Sequence, residues 1–204
     1  MTDVQKIEFF FDIGSPYSYL AATQLDAVSK RTGVPVEWRP FLLGGVFKAS
    51  GNDMPARVAA KGVYMFKDLS RFAMLYGVPF KFSSRFPLNT LRTQRALTGT
   101  MLTQGADAMQ RLAQALYRQY WVEDQDVSAD EVIVRTAVSV GLDGAAIVGG
   151  ADQSAAKDRL RADTDEAVKR GAFGAPTFFV GDEMFFGNDR LVLLEAHVAD
   201  LKKR

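Results

Sequence analysis

The chain has 204 residues, a formal net charge of +1 and 48% hydrophobic residues. That fits one large globular domain, or a small one with a sizeable insertion, and excludes a disordered or collagen-like chain. Near-neutral charge argues against nucleic acid as a partner, because phosphate binding calls for a basic face. The chain has no cysteine and one histidine, His197. Disulfides, thiolate metal sites and a protein-borne Cys-x-x-Cys cycle are therefore excluded, and a histidine-based zinc site or a Ser-His-Asp triad is short of parts. Residues 1–13 carry Asp3, Lys6, Glu8 and Asp12 and so lack a signal-peptide core. No uncharged apolar run reaches about 18 residues. No membrane association and a cytoplasmic location are the expectations.

Ile7 to Ile13 is an aromatic-rich apolar run and reads as a buried strand. Gly14 breaks it. Ser15 then suits a helix N-cap and Pro16 the first helical position. Tyr17, Leu20, Ala21, Leu25 and Val28 keep helical spacing up to Gly33. Val34 to Phe41 alternates in part and predicts a second strand, parallel to the first. The stretch from Phe41 to Pro55 is irregular.

Helices are predicted from about Ala59 to Tyr76, from a cap at Asn89 to Thr103, and from Ala106 to Trp121. Ser128 with Glu131 predicts a capping box for a helix ending near Gly141. A short helical turn follows over Ala145 to Val148, and Asp152 is placed to cap a charged helix ending near Gly171. Thr177 to Val180 and Glu183 to Phe186 read as a hairpin across Gly181-Asp182. Gly187-Asn188-Asp189 opens a last helix. The order β-α-β, helices, β-β-α becomes a sheet only when the two ends pair. The expected fold is α/β: a thioredoxin-like four-stranded mixed sheet with a large all-helical insertion. The expected division is 1–57 with 172–204 for the thioredoxin-like part and 58–171 for the inserted helices.

In such a fold the reactive group sits where the first helix begins, because unpaired N–H groups and the helix dipole favour an anion there. Redox members carry Cys-x-x-Cys at this place; here it reads Ser15-Pro16-Tyr17-Ser18. The chain cannot shuttle electrons through its own sulfur, but the position suits a thiolate brought by another molecule, with Ser15 donating to it. Ser-Pro is also an ordinary helix start. Gly174-Ala175-Pro176-Thr177 precedes the hairpin. A cis proline there would turn the backbone of Ala175 outward to pair with an extended peptide, or it is a plain strand-entry proline. His197, Trp38 and Trp121 read as structural. Tyr17 and Tyr19 are candidates for cleft lining. Arg85, Arg92 and Arg95 face either the cleft or the surface.

Phe11-Asp12-Ile13-Gly14-Ser15-Pro16-Tyr17-Ser18-Tyr19-Leu20, Gly51-Asn52, Lys61-Gly62, Phe86-Pro87-Leu88-Asn89, Gly174-Ala175-Pro176-Thr177-Phe178 and Phe186-Gly187-Asn188-Asp189-Arg190 occur in this order. The pattern resembles the 2-hydroxychromene-2-carboxylate isomerase family, kin of kappa-class glutathione transferases and of DsbA-like oxidoreductases. The resemblance spans nearly the whole chain, and its serine opening and Gly-x-Pro-Thr segment are the most specific parts.

The resemblance implies glutathione as cofactor. Ser15 would lie beside its sulfur, and Asn52 and Lys61 at its glycyl end. Ala175, followed by Pro176, would pair with its cysteinyl unit, and Asn188 and Asp189 would hold its γ-glutamyl group. It implies an isomerase interconverting 2-hydroxychromene-2-carboxylate and trans-o-hydroxybenzylidenepyruvate, a small aromatic carboxylate substrate, and a homodimer. A kappa-like transferase or peroxidase that consumes glutathione, and a non-catalytic thioredoxin-fold binding protein, are the alternatives.

Overall fold

The computed structural model describes residues 5–203. The outermost positions of the expected division, residues 1–4 and 204, lie outside that range. Four strands form one mixed sheet in the order β2-β1-β3-β4. Strand β1 (Ile7–Phe11) lies beside β2 (Val36–Pro40), parallel, with Phe9 opposite Trp38. On its other side β1 pairs antiparallel with β3 (Thr177–Val180), Phe9 facing Phe178. Strand β4 (Glu183–Phe186) closes the hairpin at the edge. The two ends of the chain thus build one sheet.

The period-two alternation of strands splits the aromatic run between two cores. Phe9 and Phe11 stack on one face, with Trp38 edge-on to both and Phe178 stacked on Phe9. Phe10 points the other way, against Phe41 and Phe179. The first face is covered by α1 (Pro16–Ala22), α2 (Leu25–Thr32), α6 (Ala106–Trp121) and α10 (Leu191–Leu201), whose buried residues share one cluster with Phe9 and Phe11. That cluster runs on into α4 (Ala59–Tyr76), α5 (Leu91–Gln104), α7 (Asp130–Ser139) and α8 (Gly144–Gly150). The second face is covered by α3 (Leu43–Ser50) and α9 (Ser154–Lys169).

The long helix expected after Ser15 is broken at Thr23 and Gln24. The Thr23 hydroxyl donates back to Leu20 O at 2.7 Å, which bends the chain out of the helix. The segment after Phe41, expected to be irregular, contains α3 and a 3-10 turn over Pro55–Arg57. Helix α5 is capped at Thr90 rather than Asn89, although the Asn89 side chain does accept the Leu91 N–H at 3.0 Å. The expected capping box at Ser128 does not form, because Asp126 takes both the Ser128 hydroxyl and its N–H; α7 starts after Ala129. Asp152 does not cap α9 either. Its carboxylate accepts from Arg92 Nη1 at 2.6 Å, and Gln153 precedes the helix. Among the described residues no helix is long and apolar enough to cross a membrane.

Candidate active site

Strand β1 ends at Phe11, and the next four residues carry the chain from the buried sheet to the cleft floor. Ser15 caps α1: its Oγ accepts the Ser18 N–H at 3.1 Å, as a helix N-cap should. The same hydroxyl donates to the Ala175 carbonyl at 3.0 Å. Ser15 is thereby buried and joined to the segment before β3, where the Ala175-Pro176 bond is cis. Gly14 sits at a close approach. A Cβ there would sit 3.2 Å from Thr90 Cγ2 and 3.3 Å from Asp12 Oδ1. A side chain at Gly174 would meet the Phe186 ring at 2.7 Å.

The first turn of α1 offers an anion less than its sequence suggests. The helix has seven residues, so its dipole is short. Pro16 has no N–H, the Ser15 N–H goes to Asp12 O, and the Ser18 N–H goes to Ser15 Oγ. The Tyr17 N–H is the donor left for a ligand. Ser18, at the second sulfur position of redox relatives, is fully buried with its hydroxyl turned toward Tyr117; no partner meets hydrogen-bond geometry.

Ser15, Asn52, Ala175, Pro176, Asn188 and Asp189 all line one cleft of about 570 Å³. Its apolar walls include Phe47, Met54, Met65, Phe72, Phe86 and Leu88. Asn52 donates to Phe173 O at 2.8 Å from an exposed position. Asn188 is buried, with its amide 3.2 Å from the Tyr76 hydroxyl, which in turn donates to Asn188 O. Asp189 pairs with Arg190. Lys61 does not line this cleft. It stands on the first turn of α4 beside a shallower hollow of about 360 Å³, which shares Tyr17, Pro55 and Met65 with the cleft.

Arg85, Arg92 and Arg95 stay outside as well. Arg92 forks onto Asp130 and bonds Asp152, and Arg85 donates to Asp124 O. The cations on the cleft wall are Arg57, paired with Asp53 at 2.9 Å, and Arg190. Arg57 was not singled out in the sequence because it sits in a segment with no periodic signal. Asp68 was also missed: from α4 it accepts the Tyr17 hydroxyl at 2.9 Å. Burial and the Asp68 carboxylate push the Tyr17 hydroxyl well up, so it stays protonated at neutral pH. His197 lies half-buried with its ring 5.6 Å from that of Phe185, away from the cleft.

A cleft at the start of the first helix, beside a cis proline on a sheet with a helical insertion, defines a thioredoxin-fold site without its sulfurs. The DSBA-like thioredoxin domain model matches residues 6–199, and the chain belongs to that family. Within it, the chain is similar to the 2-hydroxychromene-2-carboxylate isomerase of Sphingobium xenophagum, 34% identical over 198 residues, covering 96% of this chain and 99% of that one. It is also similar to glutathione S-transferase kappa 1 of Rattus norvegicus, 30% identical, covering 92% of this chain and 88% of that one. The solved structure of a 2-hydroxychromene-2-carboxylate isomerase superposes with a TM-score of 0.86 at 29% identity, covering 98% of this chain and 97% of the other.

Proposed function

We propose that the protein is a glutathione-dependent isomerase that interconverts 2-hydroxychromene-2-carboxylate and trans-o-hydroxybenzylidenepyruvate in aromatic hydrocarbon degradation. The observation that carries this reading is the Ser15 hydroxyl, buried at the cleft floor between the Ser18 N–H and the Ala175 carbonyl. Whole-length similarity to proteins named as this isomerase supports the reaction. Similarity to kappa transferases supports the cofactor.

The residues present fit the tripeptide. The Tyr17 N–H and the Ser15 hydroxyl are donors for a sulfur anion, and the Ala175 backbone edge suits the cysteinyl unit. The Asp189 carboxylate suits the γ-glutamyl ammonium, and the Asn188 side chain is held beside it by Tyr76. Asn52 and Arg57 on the cleft wall suit a glycyl carboxylate as an amide and a cation, and Lys61 beside the neighbouring hollow adds a second cation. Glutathione, when bound, supplies the sulfur nucleophile that a cysteine-free chain lacks.

The protein's own work is orientation and charge control. Ser15 turns its proton from the Ala175 carbonyl to the sulfur, lowering the thiol pKa. The apolar wall of Phe47, Met54, Phe72, Phe86 and Leu88 takes an aromatic ring and excludes water. Tyr17, protonated and fixed by Asp68, keeps the wall between cleft and hollow in place. A homodimer and a cytoplasmic location belong to the same reading. A kappa-like transferase is the second reading, favoured by the 30% identity to the rat enzyme; net consumption of glutathione separates the two.

Calorimetric titration with glutathione, with ultraviolet detection of the thiolate, tests the site. The wild type is expected to bind glutathione in the micromolar-to-millimolar range with a lowered thiol pKa. Ser15→Ala is expected to raise that pKa and cut turnover on the order of a hundredfold. No binding by the wild type would overturn the cofactor and the isomerase together and leave a thioredoxin-fold binding protein.

A further inference from the structure

One buried carboxyl group on the cleft floor has no part in holding glutathione as described above. Asp12 follows β1 and is 1% exposed, yet it lines the cleft beside Gly14 and Ser15. Its Oδ1 accepts the Gly14 N–H at 2.9 Å and the Thr90 hydroxyl at 2.6 Å. Its Oδ2 accepts the Leu43 N–H at 2.9 Å, serving the first turn of α3 in place of a local cap. Its main-chain carbonyl accepts the Ser15 N–H at 3.0 Å and the Tyr117 hydroxyl at 3.3 Å. One residue therefore fixes the β1–α1 loop against the starts of α3 and α5.

We infer that Asp12 is a positioning residue of the sulfur site, and that its negative charge counterbalances the stabilisation a thiolate receives at Ser15. The inference rests on the glutathione reading and adds to it a control on the sulfur's reactivity. Three donors and no acceptor surround the side chain, an arrangement built for a carboxylate. No arginine or lysine pairs with it among the described residues. Burial raises its pKa above the usual carboxylate range, while the hydrogen bonds from Thr90, Leu43 and Gly14 pull the other way.

The groups that face Asp12 are few. From α6 come Tyr117 and Tyr120, both pushed up mainly by burial and further by the Asp12 charge, so both stay neutral. α3 presents a backbone N–H, the start of α5 presents the Thr90 hydroxyl, and the loop presents the Gly14 N–H and the Ser15 N–H. Among the described residues no cation pairs with Asp12, and the arginines of the cleft wall, Arg57 and Arg190, pair with Asp53 and Asp189. Two anions in one poorly solvated site oppose each other, so their titrations are coupled.

That opposition has a chemical use. A thiolate's intrinsic nucleophilicity falls as its pKa falls, and the best attacking thiol has a pKa near the ambient pH. Donors at Ser15 and Tyr17 acting alone would make an abundant but sluggish anion. Asp12 holds the sulfur pKa back toward neutrality while its hydrogen bonds keep Ser15 in place.

Ultraviolet titration of the bound thiolate against pH, in the wild type, Asp12→Asn and Thr90→Val, tests this. Asp12→Asn should move the thiolate titration about one pH unit lower and reduce turnover by no more than about threefold, since a larger thiolate fraction offsets part of the lost nucleophilicity. Thr90→Val removes one donor from the Asp12 carboxylate and keeps that residue. It should move the titration upward, by less, because an Asp12 carboxylate without that donor opposes the thiolate more strongly, and it carries the test if Asp12→Asn does not fold. A purely structural role for Asp12 gives neither shift. A titration that is unmoved or moves the opposite way, in a variant that still binds glutathione, overturns this inference alone. A wild type that never develops the thiolate band overturns the glutathione reading along with it.

Discussion

Ser15 has one proton and two neighbours that already claim its hydroxyl: the Ser18 N–H donates to it and the Ala175 carbonyl takes its hydrogen. The carbonyl that orients Ser15 therefore competes with a sulfur for the same donor. Releasing it costs one hydrogen bond of about 1 kcal/mol, which a charge-assisted bond to a thiolate more than repays. Also on the cleft wall, Asp189 is exposed and paired with Arg190, so its attraction for an ammonium is screened. Asp189→Asn should weaken glutathione binding by about 1 kcal/mol, roughly fivefold. Calorimetry would measure it with a tripeptide lacking the γ-glutamyl amino group as control. Equal loss for both ligands would remove Asp189 from the γ-glutamyl end.

At the scale of elements the site depends on connections that local pattern does not carry. Gln94 of α5 is wholly buried and donates to Phe11 O at 2.8 Å and Phe41 O at 2.9 Å, at the ends of β1 and β2. Its Oε1 receives the Ile13 N–H at 3.4 Å. Gln94→Leu keeps the volume but strands the Phe41 carbonyl and the Ile13 N–H, while Phe11 O keeps the Phe41 N–H, and should cost about 3 kcal/mol. Thermal melting should show a Tm roughly 6–12 °C lower, and a change within error would mean that water takes over these groups.

The same logic explains what the sequence could tell. Strands β3 and β4 and helices α4 and α6 are legible in the sequence, because their apolar spacing is strong and a Gly or Pro marks at least one limit of each. Helix α3 is not, because Leu43-Gly44-Gly45 is a poor helix start and its first N–H is satisfied by Asp12, distant in sequence. Ser15, Ala175 and Asp189 could be singled out because each follows a turn signal next to a recognisable element. Arg57 and Asp68 could not, since only the folded chain brings the 3-10 turn and α4 against α1.

Across the whole molecule, charge is handled differently on the two faces of the sheet. The face carrying Phe9 and Phe11 packs into an apolar cluster. The other buries a network in which Arg39 of β2 bonds Glu8 of β1 at 2.6 Å, together with Asp163 and Glu166 of α9. Arg170 bonds Glu8 at 2.9 Å and lies 3.7 Å over the Phe179 ring. Arg39 itself lies 4.5 Å over Phe10. Burial pushes the Glu8 pKa up, but the hydrogen bonds and charges of Arg170 and Arg39 outweigh it and leave it below the usual range. Glu166 is lowered chiefly by its hydrogen bond to Arg39.

A carboxylate whose pKa is lower in the folded state stabilises the fold above its unfolded pKa, and that contribution is lost as pH falls through the folded value. Arg39→Met leaves Glu8 held chiefly by Arg170 and Asp163 by Arg159 alone, and should cost about 3 kcal/mol near neutral pH. The penalty should shrink toward about pH 4 and below, because Glu8 then takes a proton and needs the second cation less. Urea unfolding of both proteins at neutral and acid pH measures the difference directly. A penalty that stays constant with pH would assign the contribution of Arg39 to its packing over Phe10 rather than to its charge.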